Sequence, residues 1–332
     1  MARLNSCEEP TMKDVNVCTG EIPNFNRKTD ACTSPPSMCV KIPSLKRQAD
    51  LKKFTGAGKP VKEWWIWSVQ TNWRLLITPQ ISCADDPPFA ALVTMTGAAD
   101  AEARAVVRST WGGVSRVGTR RVRVFFVLGT VGSQEVQQAV EKEAATYDDI
   151  LQHSAPDKYR NLTHKTITAF RWVANACPQA KFLVKADADV FMDINKLLGY
   201  LNAHQDETDL AAGVLRTNAV VIRDPKNRNY EDPGVYSPAT YPPYLSGPLY
   251  IISNDLVAKI AAVAKWLPVL SNEDCFVGTC LQALGVKPQS CAPAVIIDVF
   301  FNDSSDISDI RKWMAVHPIV KERLLTLWGE LH

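Results

Sequence analysis

The feature that most constrains the fold is a regular alternation of short apolar runs and longer amphipathic stretches, which begins at Phe89. The apolar runs have the length of buried strands and lie at residues 90–96, 122–128, 181–185 and 249–253. The stretches with helical spacing are residues 100–110, 133–147, 161–176, 255–264 and 277–284. Strands that alternate with helices are typical of a mostly parallel sheet with helices on both faces. The sequence therefore predicts an α/β domain with a Rossmann-like sheet.

This alternation is missing from residues 1–86, which we interpret as an N-terminal stem or linker before a domain at residues 87–332. The segment is rich in turn residues and charge, and Pro87-Pro88 marks the boundary. It holds two groups of unusual residues, namely Cys7, Cys18, Cys32, Cys39 and Trp64, Trp65, Trp67, Trp73. Because the chain has no Cys-x-x-Cys pair and its histidines are scattered, disulfides are favoured over zinc. The Trp cluster is expected to pack on the main domain.

Charge and hydropathy limit the partners of the chain. With 37 Lys and Arg against 35 Asp and Glu, the net charge is +2, so the broad basic field of a nucleic-acid-binding protein is missing. We therefore expect no nucleic-acid partner. No stretch approaches the run of about 20 apolar residues that spans a bilayer. Glycosylation sequons at Asn161 and Asn302, together with the cysteines, favour an oxidising secretory compartment.

The sharpest local signal for a function is a pair of acids, Asp187 and Asp189, directly after the apolar run at residues 181–185. In an extended chain, the spacing i, i+2 points both carboxylates to the same side. The carboxyl end of a strand is also where open α/β sheets bind ligands. Two carboxylates at that place attract a hard divalent cation, which can in turn hold a diphosphate. A solvated pair of acids at a strand exit is the alternative.

The acid pair belongs to a series of blocks in a fixed order. The blocks are Glu102-Ala-Arg104-Ala-Val-Val-Arg108-Ser-Thr-Trp111-Gly112, Val124-Phe-Phe126-Val-Leu-Gly129, Tyr147-Asp-Asp149-Ile-Leu151, Tyr159-Arg-Asn161-Leu-Thr163-His-Lys165-Thr166, Lys185-Ala-Asp187-Ala-Asp189-Val-Phe191, Tyr241-Pro-Pro-Tyr244-Leu-Ser246-Gly247 and Glu273-Asp274-Cys-Phe-Val-Gly278-Thr-Cys280. Over residues 77–328 the chain resembles the β-1,3-glycosyltransferases, a family of β-1,3-galactosyltransferases, β-1,3-N-acetylglucosaminyltransferases and fringe proteins. The Glu-Ala-Arg opening and Ile222-Arg223-Asp224 are most similar to the galactosyl branch.

The resemblance implies a GT-A-type fold and a lumenal Golgi enzyme. The implied reaction is an inverting, Mn²⁺-dependent transfer of galactose from UDP-galactose to a glycan hydroxyl in β-1,3 linkage. UDP-N-acetylglucosamine is the alternative donor, and a catalytically silent lumenal glycan-binding protein is the alternative function. Family members are usually type II membrane proteins with a short N-terminal anchor, which this sequence does not show. Membrane association is therefore expected only through such an anchor.

The family's metal and base positions have counterparts in this chain. The resemblance implies that Asp189 is a ligand of Mn²⁺ bound to UDP, with Asp187 nearer the ribose or sugar of the donor. His317 resembles the late histidine that completes the metal site, and a surface loop position is its alternative. Asp274 matches the proposed general base, which would take the proton from the acceptor hydroxyl.

The remaining implied contacts divide between donor and acceptor. Four residues are implied for the donor, with surface pairing or core support as their alternative: Arg104, Arg108, Trp111 and Lys165. Four others are implied for the acceptor side, where tyrosine rings can stack on sugars: Tyr241, Tyr244, Gly247 and Glu273. A purely structural turn is the alternative for the two tyrosines.

Several positions depart from the family pattern. The middle acid of the usual Asp-Asp-Asp is Ala188, and the usual Cys-Ser-Gly-Gly-Gly reads Leu245-Ser-Gly-Pro248-Leu249. The loss of that cysteine is expected to leave Cys177 without its usual partner. The usual Lys-Trp-Tyr reads Arg228-Asn229-Tyr230, and the usual Asp-Phe before Tyr159 reads Ser154-Ala155. We expect an active enzyme, because the metal and base positions are kept.

Overall fold

The structure is a computed structural model, and it describes residues 15–18, 39–42, 74–80, 83, 85–291, 295–297 and 307–331. The strands are β1 (Val15–Cys18), β2 (Cys39–Ile42), β3 (Leu75–Ile77), β4 (Ala90–Met95), β5 (Arg116–Val117), β6 (Arg120–Thr130), β7 (Ile150–Pro156), β8 (Phe182–Asp187), β9 (Phe191–Met192), β10 (Ala211–Arg216), β11 (Tyr244–Ser253), β12 (Gln289–Ser290), β13 (Val295–Ile297) and β14 (Ala315–His317). The helices are α1 (Ala101–Ser109), α2 (Gln134–Tyr147), α3 (Leu162–Ala176), α4 (Ile194–Ala203), α5 (Asn254–Val263), α6 (Glu273–Leu284), α7 (Ile307–Ile310) and α8 (Lys321–Leu331).

The main sheet has the order β12-β10-β11-β8-β4-β6-β7-β3, with β5 paired to β6. Its centre, β8-β4-β6-β7, is parallel, whereas β11 on one side and β3 on the other run antiparallel to their neighbours. Every residue of β4 is buried, because helices cover both faces of the sheet. The predicted α/β architecture is therefore confirmed.

Alternate residues of β4 belong to different cores. Ala91 and Val93 pack with apolar residues of α3, α5 and α6 on one face. Leu92 packs with residues of α1, α2, α4 and α8 on the other face. Among the described helices, none combines the length and the apolar character that a bilayer crossing requires.

Part of the predicted stem is joined to the main domain. β3 pairs with β7, and Cys83 forms a disulfide with Cys177 at the end of α3. Cys177, for which the sequence predicts the loss of the usual family partner, is therefore paired with a cysteine of the preceding segment. The boundary at residue 86 stays a prediction.

Other features predicted for the N-terminal segment lie outside what the structure describes. The four tryptophans and the side chains of Cys7, Cys18, Cys32 and Cys39 belong to this group, so their disulfides stay predictions. The register of β1 and β2 places Cys18 opposite Cys39.

A small second sheet, β13-β14-β9, lies beside the carboxyl end of β8. β14 pairs antiparallel with β9, which follows the acid pair after a short turn. The backbone N–H of Ile319 also donates to the carbonyl of Asp189 at 2.8 Å. This pairing brings the chain around His317 next to the acids of β8.

Candidate active site

Three side chains with metal-binding chemistry meet where β8 and β14 end. One ligand atom each of Asp187, Asp189 and His317 lies within 4.8 Å of the others. His317 Nε2 is 3.4 Å from Asp189 Oδ2, and the Asp189 side chain is half exposed towards the cleft. Two carboxylates and an imidazole fit a transition ion such as Mn²⁺. The residues present thus fit the metal that the sequence predicts.

The two acids of this cluster differ in electrostatic environment. Burial raises the pKa of Asp187, although the neighbouring Lys185 ammonium opposes this effect. Burial also acts to raise the pKa of Asp189, but the hydrogen bond and charge of His317 outweigh it and lower the pKa. Asp189 is therefore the more firmly ionised of the two and offers the better cation ligand.

Lys185 links the metal cluster to the opposite wall of the cleft. Its Nζ lies 2.6 Å from Asp187 Oδ1 and 3.2 Å from Glu273 Oε1, and it donates to the carbonyl of Gly247. Burial opposes the charge on this amine, but the two carboxylates outweigh burial and raise its pKa. A buried ammonium is stable only when paired in this way. Sequence reasoning had not assigned Lys185 a role, although its spacing from Asp187 places both on one side of β8.

Glu273 and Asp274 form the first turn of α6, where the helix dipole favours negative charge. Asp274 accepts hydrogen bonds from the N–H groups of Gly247, at 3.2 Å, and Cys275, at 2.8 Å. Glu273 accepts from the hydroxyl of Tyr250 at 3.2 Å. Burial raises the pKa of both acids. A Cβ at Gly247 would lie 3.3 Å from Glu273 Oε1, so the close approach of β11 to α6 favours glycine.

A cleft of about 800 Å³ connects these groups. Eight of the predicted site residues line it: Asp187, Asp189, Tyr241, Tyr244, Gly247, Glu273, Asp274 and His317. The rings of Tyr241 and Tyr244 meet edge to face, with centroids 6.3 Å apart. Of the departures from the family pattern, Pro248 also lines the cleft, whereas Leu245 is buried in the core. The structure thus brings the metal, base and acceptor predictions to one place.

The two arginines predicted to contact the donor lie outside the cleft lining. Arg104 is fully buried, pairs with Glu143 through two hydrogen bonds and donates to the carbonyl of Gly97 at 2.6 Å. Arg108 pairs with Glu143 and, through two further bonds of 2.8 Å, with Asp149. Because their donors are already used, the structure favours the structural alternative for both. Their contact with a donor stays a prediction without support in this geometry.

Trp111 and Lys165 are likewise used in the interior. The Trp111 ring is buried and its Nε1 donates to the carbonyl of Val190 at 2.8 Å. Lys165 Nζ lies 2.6 Å from Asp157 Oδ1 and 2.8 Å from the carbonyl of Thr96. Both side chains support the loops at the carboxyl end of the sheet, which is the alternative reading of these positions.

Asp157 is a second residue that sequence reasoning missed. Besides its ion pair with Lys165, its Oδ2 accepts from the N–H groups of Ala98, at 2.7 Å, and Gly129, at 3.2 Å. Ala98 follows β4 and Gly129 lies near the end of β6, so one carboxylate links the carboxyl ends of two strands at the ligand-binding edge of the sheet. Its position directly after β7 was the signal that could have identified it.

Residues 227–231, which we call the strap, connect the two sides of the cleft. The Tyr159 hydroxyl donates to Asn229 Oδ1 at 3.1 Å on one side. On the other side, Asn272, the residue before α6, donates from its amide to the carbonyl of Asn229 at 3.1 Å. The strap contains the positions where Lys-Trp-Tyr became Arg-Asn-Tyr, so the departure from the family pattern lies on the cleft rim.

Glu231 holds the end of the strap, and its burial predicts that the stability of the protein depends on pH. The side chain is 2% exposed, and Oε2 accepts from the N–H of Ser271 at 2.7 Å. Burial raises its pKa from 4.5 to about 7, although the bond from Ser271 opposes the shift. The pKa of Glu231 is higher in the folded protein than in the unfolded chain. Its buried carboxyl therefore contributes its full stabilisation of the fold below about pH 4.5, and this contribution is lost as the pH rises through 7. The ionised carboxyl then costs the fold up to about 3 kcal/mol.

We therefore expect Glu231→Gln, which is neutral at every pH, to gain thermal stability relative to the unmodified protein between pH 5 and pH 8. Thermal unfolding of both proteins at one-unit pH steps measures this difference. Glu141→Gln on the exposed face of α2 is the matched control and should follow the unmodified protein. Parallel curves for Glu231→Gln and the unmodified protein would show that the carboxyl is ionised throughout.

Comparison with known proteins identifies the family. The galactosyltransferase family model matches residues 102–292. A β-1,3-galactosyltransferase 5 from Mus musculus is 32% identical over 264 residues, which cover 79% of this chain and 85% of that protein. A UDP-GalNAc:β-1,3-N-acetylgalactosaminyltransferase 1 from Rattus norvegicus is 33% identical over 261 residues, 77% of this chain and 78% of that protein.

Among solved structures, a mannosyltransferase from Pyrobaculum calidifontis in complex with GDP-Man and Mn²⁺ has a TM-score of 0.39 and 14% identity, covering 80% of this chain and 71% of that one. The family model spans more than half of the chain, and the sheet has the α/β architecture predicted for a GT-A glycosyltransferase. The chain belongs to the galactosyltransferase family and is a hexosyltransferase with an α/β fold.

Proposed function

We propose that this protein transfers galactose from UDP-galactose to a glycan hydroxyl, in β-1,3 linkage and with inversion at the anomeric carbon. The observation that carries the proposal is the meeting of a metal-fitting cluster and the buried carboxylate of Asp274 on one cleft, in a chain of this family. The β-1,3 linkage in the names of both relatives supports the linkage, and the mouse relative supports galactose.

The role proposed for Asp274 is that of the general base. Its carboxylate takes the proton of the acceptor hydroxyl while that oxygen forms a bond to the anomeric carbon and the bond to UDP breaks. The N–H groups of Gly247 and Cys275 hold the carboxylate in one orientation. Burial, by raising the pKa, makes Asp274 a stronger base once it is ionised. A single displacement of this kind turns an α-linked donor into a β-linked product.

Asp187, Asp189 and His317 are the residues that would hold Mn²⁺. When bound, the ion would offset the negative charge that develops on the departing diphosphate. Lys185 holds Asp187 in place through their ion pair and adds a positive charge close to the three residues that would bind the metal. The chain therefore supplies both ligands and a supporting cation at the donor end of the cleft.

Two alternatives follow from particular observations. The relatives use different sugars, so UDP-N-acetylglucosamine and UDP-N-acetylgalactosamine are tested beside UDP-galactose. The replacement of acid by Ala188 and of glycine by Pro248 supports the second alternative, a catalytically silent glycan-binding protein. For the location we propose the Golgi lumen, because the Cys83–Cys177 disulfide suits an oxidising compartment.

The test is release of UDP from these three UDP-sugars, with and without Mn²⁺, in the presence of mixed β-linked acceptors. We expect turnover with UDP-galactose that depends on the metal. Turnover with another UDP-sugar would correct the donor. Silence across the panel, from protein shown to be folded by its thermal transition, would overturn the enzymatic proposal and favour the binding protein.

A further inference from the structure

A cysteine thiol lies beside the proposed base in the cleft. Cys275 follows Asp274 in the first turn of α6 and lines the cleft together with Asp274 and Tyr244. The residue is 4% exposed, and its thiol is free of any disulfide. Its backbone N–H already holds one oxygen of Asp274. The proposed reaction gives the thiol itself no role.

The strand β11 lies close against the face of α6 that carries this cysteine. A Cβ at Gly278 would lie 2.5 Å from the Cβ of Tyr244, so the helix can approach Tyr244 this closely because residue 278 is glycine. Cys275 and Asp274 precede Gly278 by three and four residues, which places them on the same side of the helix. The thiol, the acid and the tyrosine therefore meet at one contact between α6 and β11.

The Cys275 thiol is hydrogen-bonded to the Asp274 carboxylate and to the Tyr244 hydroxyl. Burial, together with the charge of Asp274, raises the pKa of the thiol, so the sulfur keeps its proton at neutral pH. Burial also raises the pKa of Tyr244. An ionised carboxylate can only accept, so the S–H donates to Asp274 while the sulfur accepts from the phenol. The two bonds thus run in one direction, from Tyr244 through Cys275 to Asp274.

Asp274 lies among groups that act on its ionisation in both directions. Burial raises its pKa, whereas its two backbone N–H donors, the charge of Lys185 and the Cys275 thiol lower it. The Lys185 ammonium forms its ion pairs with two other acids, at 2.6 Å and 3.2 Å, so the thiol is a side-chain donor that Asp274 does not share with them. The other titratable groups that interact electrostatically with Asp274 lie on α6, on β11 and just before α3: Glu273, Tyr244, Tyr250 and Tyr159.

We propose that Cys275 is a positioning residue for the transfer reaction, whose S–H orients the Asp274 carboxylate and keeps it ionised in a mildly acidic medium. The inference rests on the proposed function, since it takes Asp274 to be the general base. Tyr244 assists by donating to the sulfur, which turns the S–H towards the carboxylate. A hydrogen bond to a charged acceptor is stronger than a neutral one, but a thiol is a weak donor. The expected effect is therefore moderate and falls on the pH dependence.

The first test is the pH profile of kcat, measured as UDP release at saturating donor and acceptor. Without the S–H, Asp274 should ionise at higher pH, so kcat of Cys275→Ala on the acidic side should fall roughly three- to tenfold relative to its plateau. The hydroxyl of Cys275→Ser can donate in the same way and should restore the unmodified profile. Cys280→Ala is the matched control, because Cys280 is a buried free cysteine of the same helix whose pKa is raised by burial alone. It should keep the unmodified profile.

Two results of this test would overturn the inference while the proposed function stands. One is an acidic limb in Cys275→Ala that coincides with that of the unmodified protein. The other is an equal fall of kcat at every pH in both Cys275→Ala and Cys275→Ser, because the side chain would then act only by filling space.

A second measurement does not depend on turnover. The loss of thermal stability caused by Cys275→Ala is compared in the unmodified protein and in an Asp274→Ala background. We expect a smaller loss in the second case, since the acceptor of the S–H is already absent, whereas Cys280→Ala should cost the same in both. If no UDP-sugar is turned over but this difference is found, the hydrogen bond stands and the proposed function fails. Equal losses from Cys275→Ala in both backgrounds would contradict the inference.

Discussion

Asp189→Ala is expected to abolish detectable turnover and the Mn²⁺-dependent binding of UDP. The substitution removes the most exposed member of the Asp187, Asp189 and His317 cluster, which is also the more firmly ionised of its two acids. Loss of a residue that merely supports a metal ligand typically costs 10- to 100-fold in affinity or activity, so loss of a ligand should cost at least about a hundredfold. UDP release measures the turnover, and the thermal shift that requires both Mn²⁺ and UDP measures the binding.

The matched control is Asp206→Ala, which removes an exposed carboxylate remote from the cleft lining. It should leave both measurements unchanged. Full activity in Asp189→Ala would remove this residue from the site. Lost activity with an unchanged Mn²⁺-dependent shift would assign Asp189 to the chemical step and leave the metal to other groups.

Asp274→Asn is expected to lower kcat by about 10²- to 10⁴-fold while the enzyme keeps its donor affinity. The amide oxygen can still accept a backbone N–H at the start of α6, so the local structure should survive. It cannot accept the proton of the acceptor hydroxyl. The thermal shift with UDP and Mn²⁺ reports donor binding, and initial rates at saturating acceptor report kcat.

Asp232→Asn, an exposed position outside the cleft lining, is the control for the change in chemistry from acid to amide. Its kcat should match that of the unmodified protein. If Asp274→Asn instead lost donor affinity as strongly as rate, Asp274 would be a donor ligand and the base would have to be sought elsewhere.

The parallel centre of the sheet could be predicted because strands buried on both faces are continuous apolar runs in the sequence. A strand such as β4 is apolar throughout, and so are its neighbours. The acid pair after β8 was identifiable for the same reason, since the end of a buried strand is a defined place in such a sheet.

Helix boundaries were harder to predict from the sequence, and the start of α6 matters for the site. Residues 277–284 were predicted as a helix, but α6 begins at Glu273. Two acids followed by cysteine resemble a polar loop in sequence, yet the first turn of a helix is where acids are favoured. The correction places Asp274 on a rigid element, which a loop assignment would not have done.

Contacts between distant parts of the chain could not be derived from sequence patterns. His317 has no periodic relation to Asp189, and only the resemblance indicated it; the pairing of β14 with β9 places it. Similarly, nothing local to Arg104 shows that Glu143 of α2 would lie opposite its guanidinium. An arginine that binds phosphate and one that pairs with a buried acid look alike until the partner is seen.

The Cys83–Cys177 disulfide separates the chain into a covalently closed ring and a following part that carries all the acids of the cleft. The ring it closes spans a sequence separation of 94 and contains β4, β6 and β7, whereas β8, β10 and β11 lie beyond it. A covalent ring of this length removes about 4–5 kcal/mol of chain entropy from the unfolded state in the simplest model. The ring thus holds the part of the sheet next to β8, whereas Asp187, Asp189 and His317 lie outside it. Protein synthesised in a reducing cytosol would lack this constraint, and the free energy of unfolding of the whole domain would be lower.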